Sequence, residues 1–181
     1  TPAIYRSWVE HKKRQTQQLS ANRLGYVHIP DMMPEGYNQF YREFLTCYKK
    51  EGLIVDVRFN RGGHTSELIL KRLAEKIYGH VISRHAGVSN FPKYAISGPL
   101  IVICNEYAGS DGDIFTHTFK QMGLGKVVGT RTWGGVVGIS PTGDLVDGTM
   151  TSQPQHAFYF HDVGYGVENY GVDPDIEVQI A

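Results

Sequence analysis

The chain has 181 residues, 41% of them hydrophobic and 20% charged, with 18 basic side chains balanced by 18 acidic ones. That length suits one compact domain with a real core, and the charge balance excludes the footprint of a nucleic-acid-binding or membrane-surface protein. The longest apolar runs, such as Pro99 to Cys104, are strand-length and far too short to cross a bilayer.

Ile4 and Trp8, followed by the polar run His11 to Gln18, predict a surface helix with a narrow apolar stripe. The chain opens on Thr1-Pro2 without Met, so residues 1–22 read as a connecting helix entered in mid-chain, and any compartment signal would lie upstream. A short strand, Leu24 to Ile29, ends at Pro30. Tyr37, Phe40, Tyr41, Phe44, Leu45 and Tyr48 then recur at helical spacing, with Gly52 as a stop signal. Leu53 to Phe59 is apolar and β-branched, as a strand should be. After Asn60-Arg61-Gly62-Gly63, the residues Leu68, Ile69, Leu73 and Ile77 predict a helix closing at Gly79. Leu100 to Cys104 reads as a strand buried on both faces, and Ile114, Phe115, Phe119 and Met122 line a helix ending near Gly123. From Val127 onward, short β runs are separated by glycines, with Ala157 to Phe160 the most strand-like. Cys47 and Cys104 fall on predicted elements and are expected as buried free thiols.

Strand, turn and helix follow one another three times, which predicts an α/β fold with a mixed, largely parallel sheet. In such sheets functional turns collect beyond the carboxyl ends of the strands, so the turns at Gly62 and Ser110 are expected to be neighbours.

The segment Gly109-Ser110-Asp111-Gly112-Asp113 lies between a buried strand and an amphipathic helix. A hydroxyl at that position sees the positive end of the helix dipole, and the free N–H of Asp111 can stabilise an oxyanion formed when Ser110 attacks a carbonyl. Ser and Asp are also the residues that helix capping favours, so the local pattern alone leaves nucleophile and cap both open. Gly62-Gly63 can bring a second backbone N–H to the same oxyanion, or can be an ordinary turn with Thr65 or Ser66 as cap.

His64 adjoins this turn but reads as a surface or capping residue. His117 lies seven residues after Ser110, about two helical turns and too far along the axis to take its proton. The remaining histidines have no informative spacing. Near the end, Gly166-Val167-Glu168-Asn169-Tyr170-Gly171-Val172-Asp173-Pro174-Asp175 offers Glu168 as an acid that could orient a catalytic group, or a solvated loop carboxylate. Asp173 and Asp175 read as turn formers around Pro174. No H-E-x-x-H or paired Cys-x-x-Cys signature is present, so neither metal nor other cofactor is expected.

Taken together, Asn60 to Gly63, Gly109 to Asp113, Gly129-Thr130-Arg131-Thr132-Trp133-Gly134-Gly135 and Glu168 to Val178 resemble, in order, the carboxyl-terminal catalytic core of the tricorn protease family. The Asn-x-Gly-Gly turn and the Val-Glu…Gly-Val-x-Pro-Asp ending are also similar to carboxyl-terminal processing proteases. The resemblance implies a ClpP/crotonase-like fold of repeated β-β-α units over residues 23–181, following a PDZ-like region. It implies peptide-bond hydrolysis through an acyl-enzyme on Ser110, with the N–H groups of Asp111 and of Gly63 or Gly62 as oxyanion hole and Glu168 in an extended relay. It further implies peptide substrates, a hexameric assembly in the cytoplasm, with export to the periplasm as the alternative, and a catalytic His and second Ser in the preceding region. The chain by itself is then expected to have little peptidase activity. Two other readings remain: a non-catalytic carrier of apolar ligands on the same fold, and a thioester-processing enzyme needing the oxyanion hole but no serine.

Overall fold

The structure, a computed structural model, describes residues 2–179. Helix α1 (Pro2–Leu19) leads into β1 (Leu24–His28), α2 (Pro34–Cys47), β2 (Gly52–Asp56) and α3 (Ser66–Leu73). A hairpin of β3 (Gly79–Ser83) and β4 (Gly87–Phe91) precedes β5 (Leu100–Cys104), α4 (Asp111–Gln121) and β6 (Gly125–Gly129). A second hairpin, β7 (Gly138–Asp144) and β8 (Met150–His156), and the short β9 (Ile176–Glu177) complete it.

The central sheet has the order β1-β2-β5-β6-β9 and every neighbouring pair in it is parallel. The fold is therefore the expected α/β arrangement with a largely parallel sheet, its antiparallel pairs set apart in the two hairpins. Val55, Val102 and Val127 are register partners across three adjacent strands, and all three are fully buried. Phe40 and Phe44, one helical turn apart on α2, and Phe115 and Phe119, likewise on α4, fill the same core with Ile69 of α3. Burying each such side chain stabilises the fold by about 1.5–3 kcal/mol.

Helix α1 is fastened to the sheet edge. Trp8 meets His28 edge-on, the Arg58 guanidinium lies over the Trp8 ring, and Lys13 pairs with Glu43 of α2. Beneath it, the fully buried Asp56 carboxylate accepts from the Tyr26 hydroxyl at 2.7 Å and from the Arg58 guanidinium.

Three sequence expectations shift. The second strand ends at Asp56 rather than Phe59, because Arg58 turns back onto Asp56 and Phe59 takes a positive φ of 63°. Helix α3 stops at Leu73, and Gly79 opens the β3–β4 hairpin instead of closing the helix. Ala157 to Phe160 is not a strand: β8 ends at His156, and Phe160 instead exchanges two backbone hydrogen bonds with Gly164 while its ring joins a small cluster with Val136, Val167 and Val172. The apolar character of this segment is satisfied by that packing without a partner strand. Cys47 and Cys104 are both buried and free.

Candidate active site

The turns after β2 and β5 lie side by side at the carboxyl ends of adjacent strands, as the parallel topology requires. The contact is close: a Cβ added at Gly62 would stand 2.5 Å from Ser110 Cβ and 3.0 Å from its Oγ. The two turns are also hydrogen-bonded, Gly109 N–H donating to the Asn60 carbonyl at 3.0 Å.

Ser110 is the N-cap of α4, yet its side chain makes no capping hydrogen bond and its backbone sits at φ 57°, ψ −121°. A non-glycine residue in such a region costs about 1–3 kcal/mol and persists only where its surroundings over-determine it. Here the surroundings are the Asn60 contact at Gly109, the Gly112 N–H to Gly109 carbonyl bond and the Ile114 N–H to Ser110 carbonyl bond that starts the helix. Trp133 closes the turn from outside, its N–H bonded to Ala108 and its ring against the α-carbon of Gly109, where a Cβ would meet it at 2.6 Å. The strain presents Oγ outward, and among the described residues nothing hydrogen-bonds to it.

Asn60 organises the neighbouring turn. Its fully buried amide donates to the Ile29 carbonyl at 2.8 Å, and its Oδ1 accepts the Gly62 N–H at 2.9 Å. Gly63 bridges to Met32: the Gly62 carbonyl accepts from Met32 N–H, and His64 and Thr65 N–H both donate to the Met32 carbonyl. Gly62 N–H is therefore spent, whereas Gly63 N–H and Asp111 N–H have no acceptor among the described residues. Gly63 at φ 146° also lies where a Cβ would strike the Met32 backbone at 2.1 Å, so only glycine fits.

The side chain of Asp111 is engaged elsewhere. It caps α3, accepting from Ser66 Oγ at 2.5 Å and from Ser66 N–H at 3.1 Å. One residue thus offers an N–H with no acceptor among the described residues and, through its side chain, ties the two helix starts together.

Gly63, Ser110 and Asp111 line a cavity of about 460 Å³ whose walls include Leu70, Ile114, Val136, Phe158 and Phe160. The apolar wall was not legible in advance, because Val136, Phe158 and Phe160 come from the irregular glycine-rich region. Glu168 does not line the cavity; it lies behind it, where its Oε2 accepts the N–H groups of Val136 at 2.7 Å and Val137 at 2.8 Å. His64 and His156 reach the same cavity, but neither is hydrogen-bonded to Ser110. His117 is turned away, paired with Asp162 at 3.1 Å and packed on Phe160. The sequence offers Asn60 only as part of the Asn-x-Gly-Gly turn and Ser66 only as a possible helix cap; that Asn60 accepts the Gly62 N–H and Ser66 donates to the Asp111 carboxylate has no local signal.

The family model for Peptidase family S41 matches residues 23–178. The chain belongs to peptidase family S41. Within it, the sequence is 54% identical over 98% of its length to the tricorn protease of Thermoplasma acidophilum, and 47% identical over 98% to tricorn protease homolog 1 of Streptomyces coelicolor. It spans only about a sixth of these relatives, 16% and 17% of their lengths. The crystal structure of the tricorn protease superposes with a TM-score of 0.95, covering 98% of this chain and 17% of that one at 54% identity. The photosystem II D1 C-terminal processing protease shares the S41 fold at a TM-score of 0.58 and 21% identity, covering 86% of this chain and 42% of its own.

Proposed function

We propose that the chain supplies the nucleophile and oxyanion hole of a serine peptidase acting on peptides. The observation that carries this reading is the uncapped Ser110 Oγ on a strained helix start, beside two backbone N–H groups, of Gly63 and Asp111, that have no acceptor among the described residues. Ser110 Oγ attacks the scissile carbonyl carbon as its proton passes to a base. The carbonyl oxygen becomes an oxyanion held by the two N–H groups, with the positive end of α4 adding to its stabilisation. Expulsion of the amine, which takes up the proton from the base, leaves an ester on Ser110 that water then hydrolyses. Gly63 is preferred to Gly62 as donor because the Gly62 N–H is bound to Asn60.

Glu168 acts in the relay through Oε1, its Oε2 being held by Val136 and Val137. The base belongs to a region preceding residues 1–22, which connect it to the peptidase domain of residues 23–181; the much greater length of the relatives and the absence of any partner on Ser110 Oγ among the described residues support this. The assembly is a hexamer, for which the exposed Val81, Ile82, Val88 and Phe91 of the β3–β4 hairpin provide apolar surface, and it works on short peptides in the cytoplasm.

The test is labelling by a fluorophosphonate or peptide chloromethyl ketone, read by intact mass, in this chain and in a longer one that includes the preceding region. Modification of Ser110 in the longer chain alone is the expected result. Modification in neither would overturn the reading in favour of an apolar-ligand carrier, to which the cavity wall would then belong. Modification in both would put the base inside this chain, with His156 and His64 as the candidates.

A further inference from the structure

Ser110 occupies the N-cap of α4 without capping it, so some other group must hold the strained turn. The geometry points to Asp113, three residues further on, as a positioning residue that keeps the Ser110 hydroxyl free for reaction. This inference rests on the proposed role of Ser110.

In a helix start of this kind, an acidic residue at the third helical position can reach back to the backbone N–H of the N-cap residue. Asp113 stands at that position and is fully buried. Its Oδ1 accepts the Gly134 N–H at 2.9 Å, and the Thr132 hydroxyl and the N–H groups of Ser110 and Gly135 also favour its charged form. Its Oδ2 has no partner in full hydrogen-bond geometry among the described residues. One carboxylate therefore faces both the strained N-cap and the loop that carries Trp133 across the outside of the turn.

That loop is pinned again on its far side. Asn169 N–H donates to the Gly134 carbonyl at 2.6 Å, Val172 N–H donates to Thr132 Oγ1 at 2.8 Å, and Glu168 holds Val136 and Val137. Asp113 and Glu168 hold the two halves of residues 132–137, and through this loop the serine turn and the Glu168 segment are set in one frame. With Asp113 bound to backbone and Asp111 bound to Ser66, neither acid competes for Ser110 Oγ.

The other titratable groups around Asp113 are accounted for. Asp111 on the same turn is held by Ser66, Glu168 by Val136 and Val137, and Arg131 on the adjoining loop is turned outward to Asp173 at 2.7 Å. Cys104 at the end of β5 is pushed by burial to about 12 and stays a thiol. Burial raises the Asp113 carboxyl above the ordinary aspartate value, against the donors that oppose it. The grip therefore loosens on acidification before an exposed aspartate would titrate.

The experiment compares wild type and Asp113→Asn in whichever chain is labelled at Ser110, measuring the second-order labelling rate against pH and the Ser110 and Gly134 amide resonances by NMR. The variant keeps the size but points an NH₂ group at existing donors. It should label about 10- to 100-fold more slowly at neutral pH, the effect expected from losing a charged hydrogen-bond acceptor. It should also lose the acidic limb of the wild-type profile. Both amide resonances of wild type should shift together at a pH above the usual aspartate range. A labelling rate within twofold of wild type with an unchanged profile would overturn the proposal. So would wild-type amides that do not titrate, a measurement that stands even if the variant fails to fold. Absence of any wild-type labelling would instead sink the reading of Ser110 itself, while the amide titration would still judge the role of Asp113 in holding the turn.

Discussion

Asp111 and Ser66 join the starts of two helices that are 45 residues apart in sequence, through a carboxylate that takes both the hydroxyl and the N–H of Ser66. Both residues are buried, so the bond is made out of water. Asp111→Ala leaves the Asp111 N–H in place but orphans two Ser66 donors. It should lower stability by about 1–3 kcal/mol in urea unfolding, with Ser66→Ala costing less, because that change leaves the Ser66 N–H still paired. Equal losses for the two variants would refute this apportioning.

Gly62→Ala tests the contact between the two turns. The added methyl would stand 2.5 Å from Ser110 Cβ, and φ at this position is 76°. Labelling of Ser110 should be abolished or fall at least about 100-fold, since displacement of a reacting atom by about 1 Å is enough for such a loss. Retained labelling would mean that the Ser110 turn can move away without loss of function.

The strain at Ser110 predicts a trade of stability against reactivity. Ser110→Gly removes the Cβ that makes φ 57° costly and should raise stability by about 1 kcal/mol while abolishing labelling. Ser110→Ala abolishes labelling equally but keeps the strain, so its melting temperature should stay near that of wild type. If the glycine variant is not the more stable of the two, the backbone at this position is not strained in solution.

His28 gives a pH dependence with a definite sign. Its ring is buried, with Nδ1 accepting from the Tyr5 hydroxyl at 2.8 Å and Nε2–H donating to the Arg58 carbonyl at 2.9 Å, which suits the neutral imidazole. Burial holds its pKa below the ordinary value near 6.5. The unfolded chain then takes up a proton that the folded chain refuses, so stability is full above about pH 7 and declines as the pH falls through about 6.5 toward the folded value. The difference in melting temperature between wild type and His28→Gln should shrink as the pH is lowered from 8 to 5; a constant difference would contradict this.

Some of the molecule was legible in the sequence because the signals are local. The helical spacing of Phe40 and Phe44, the continuous apolar run Leu100 to Cys104 and the repeated order of strand, turn and helix depend only on near neighbours, and they determined the α/β class and the adjacency of the Gly62 and Ser110 turns. Tertiary structure decided the rest. Whether Ser110 is a cap or a free hydroxyl turned on acceptors and donors elsewhere: Asn60 consuming the Gly62 N–H, Ser66 drawing off the Asp111 carboxylate, and Asp113 facing the 132–135 loop. The fate of Ala157 to Phe160 was likewise settled by packing of Phe160 with Val136 and Val172 rather than by its strand-like composition. Local periodicity records which face of an element is apolar, but the hydrogen bonds that leave one hydroxyl and two N–H groups without partners among the described residues are closed by residues tens of positions apart, and no local pattern carries that information.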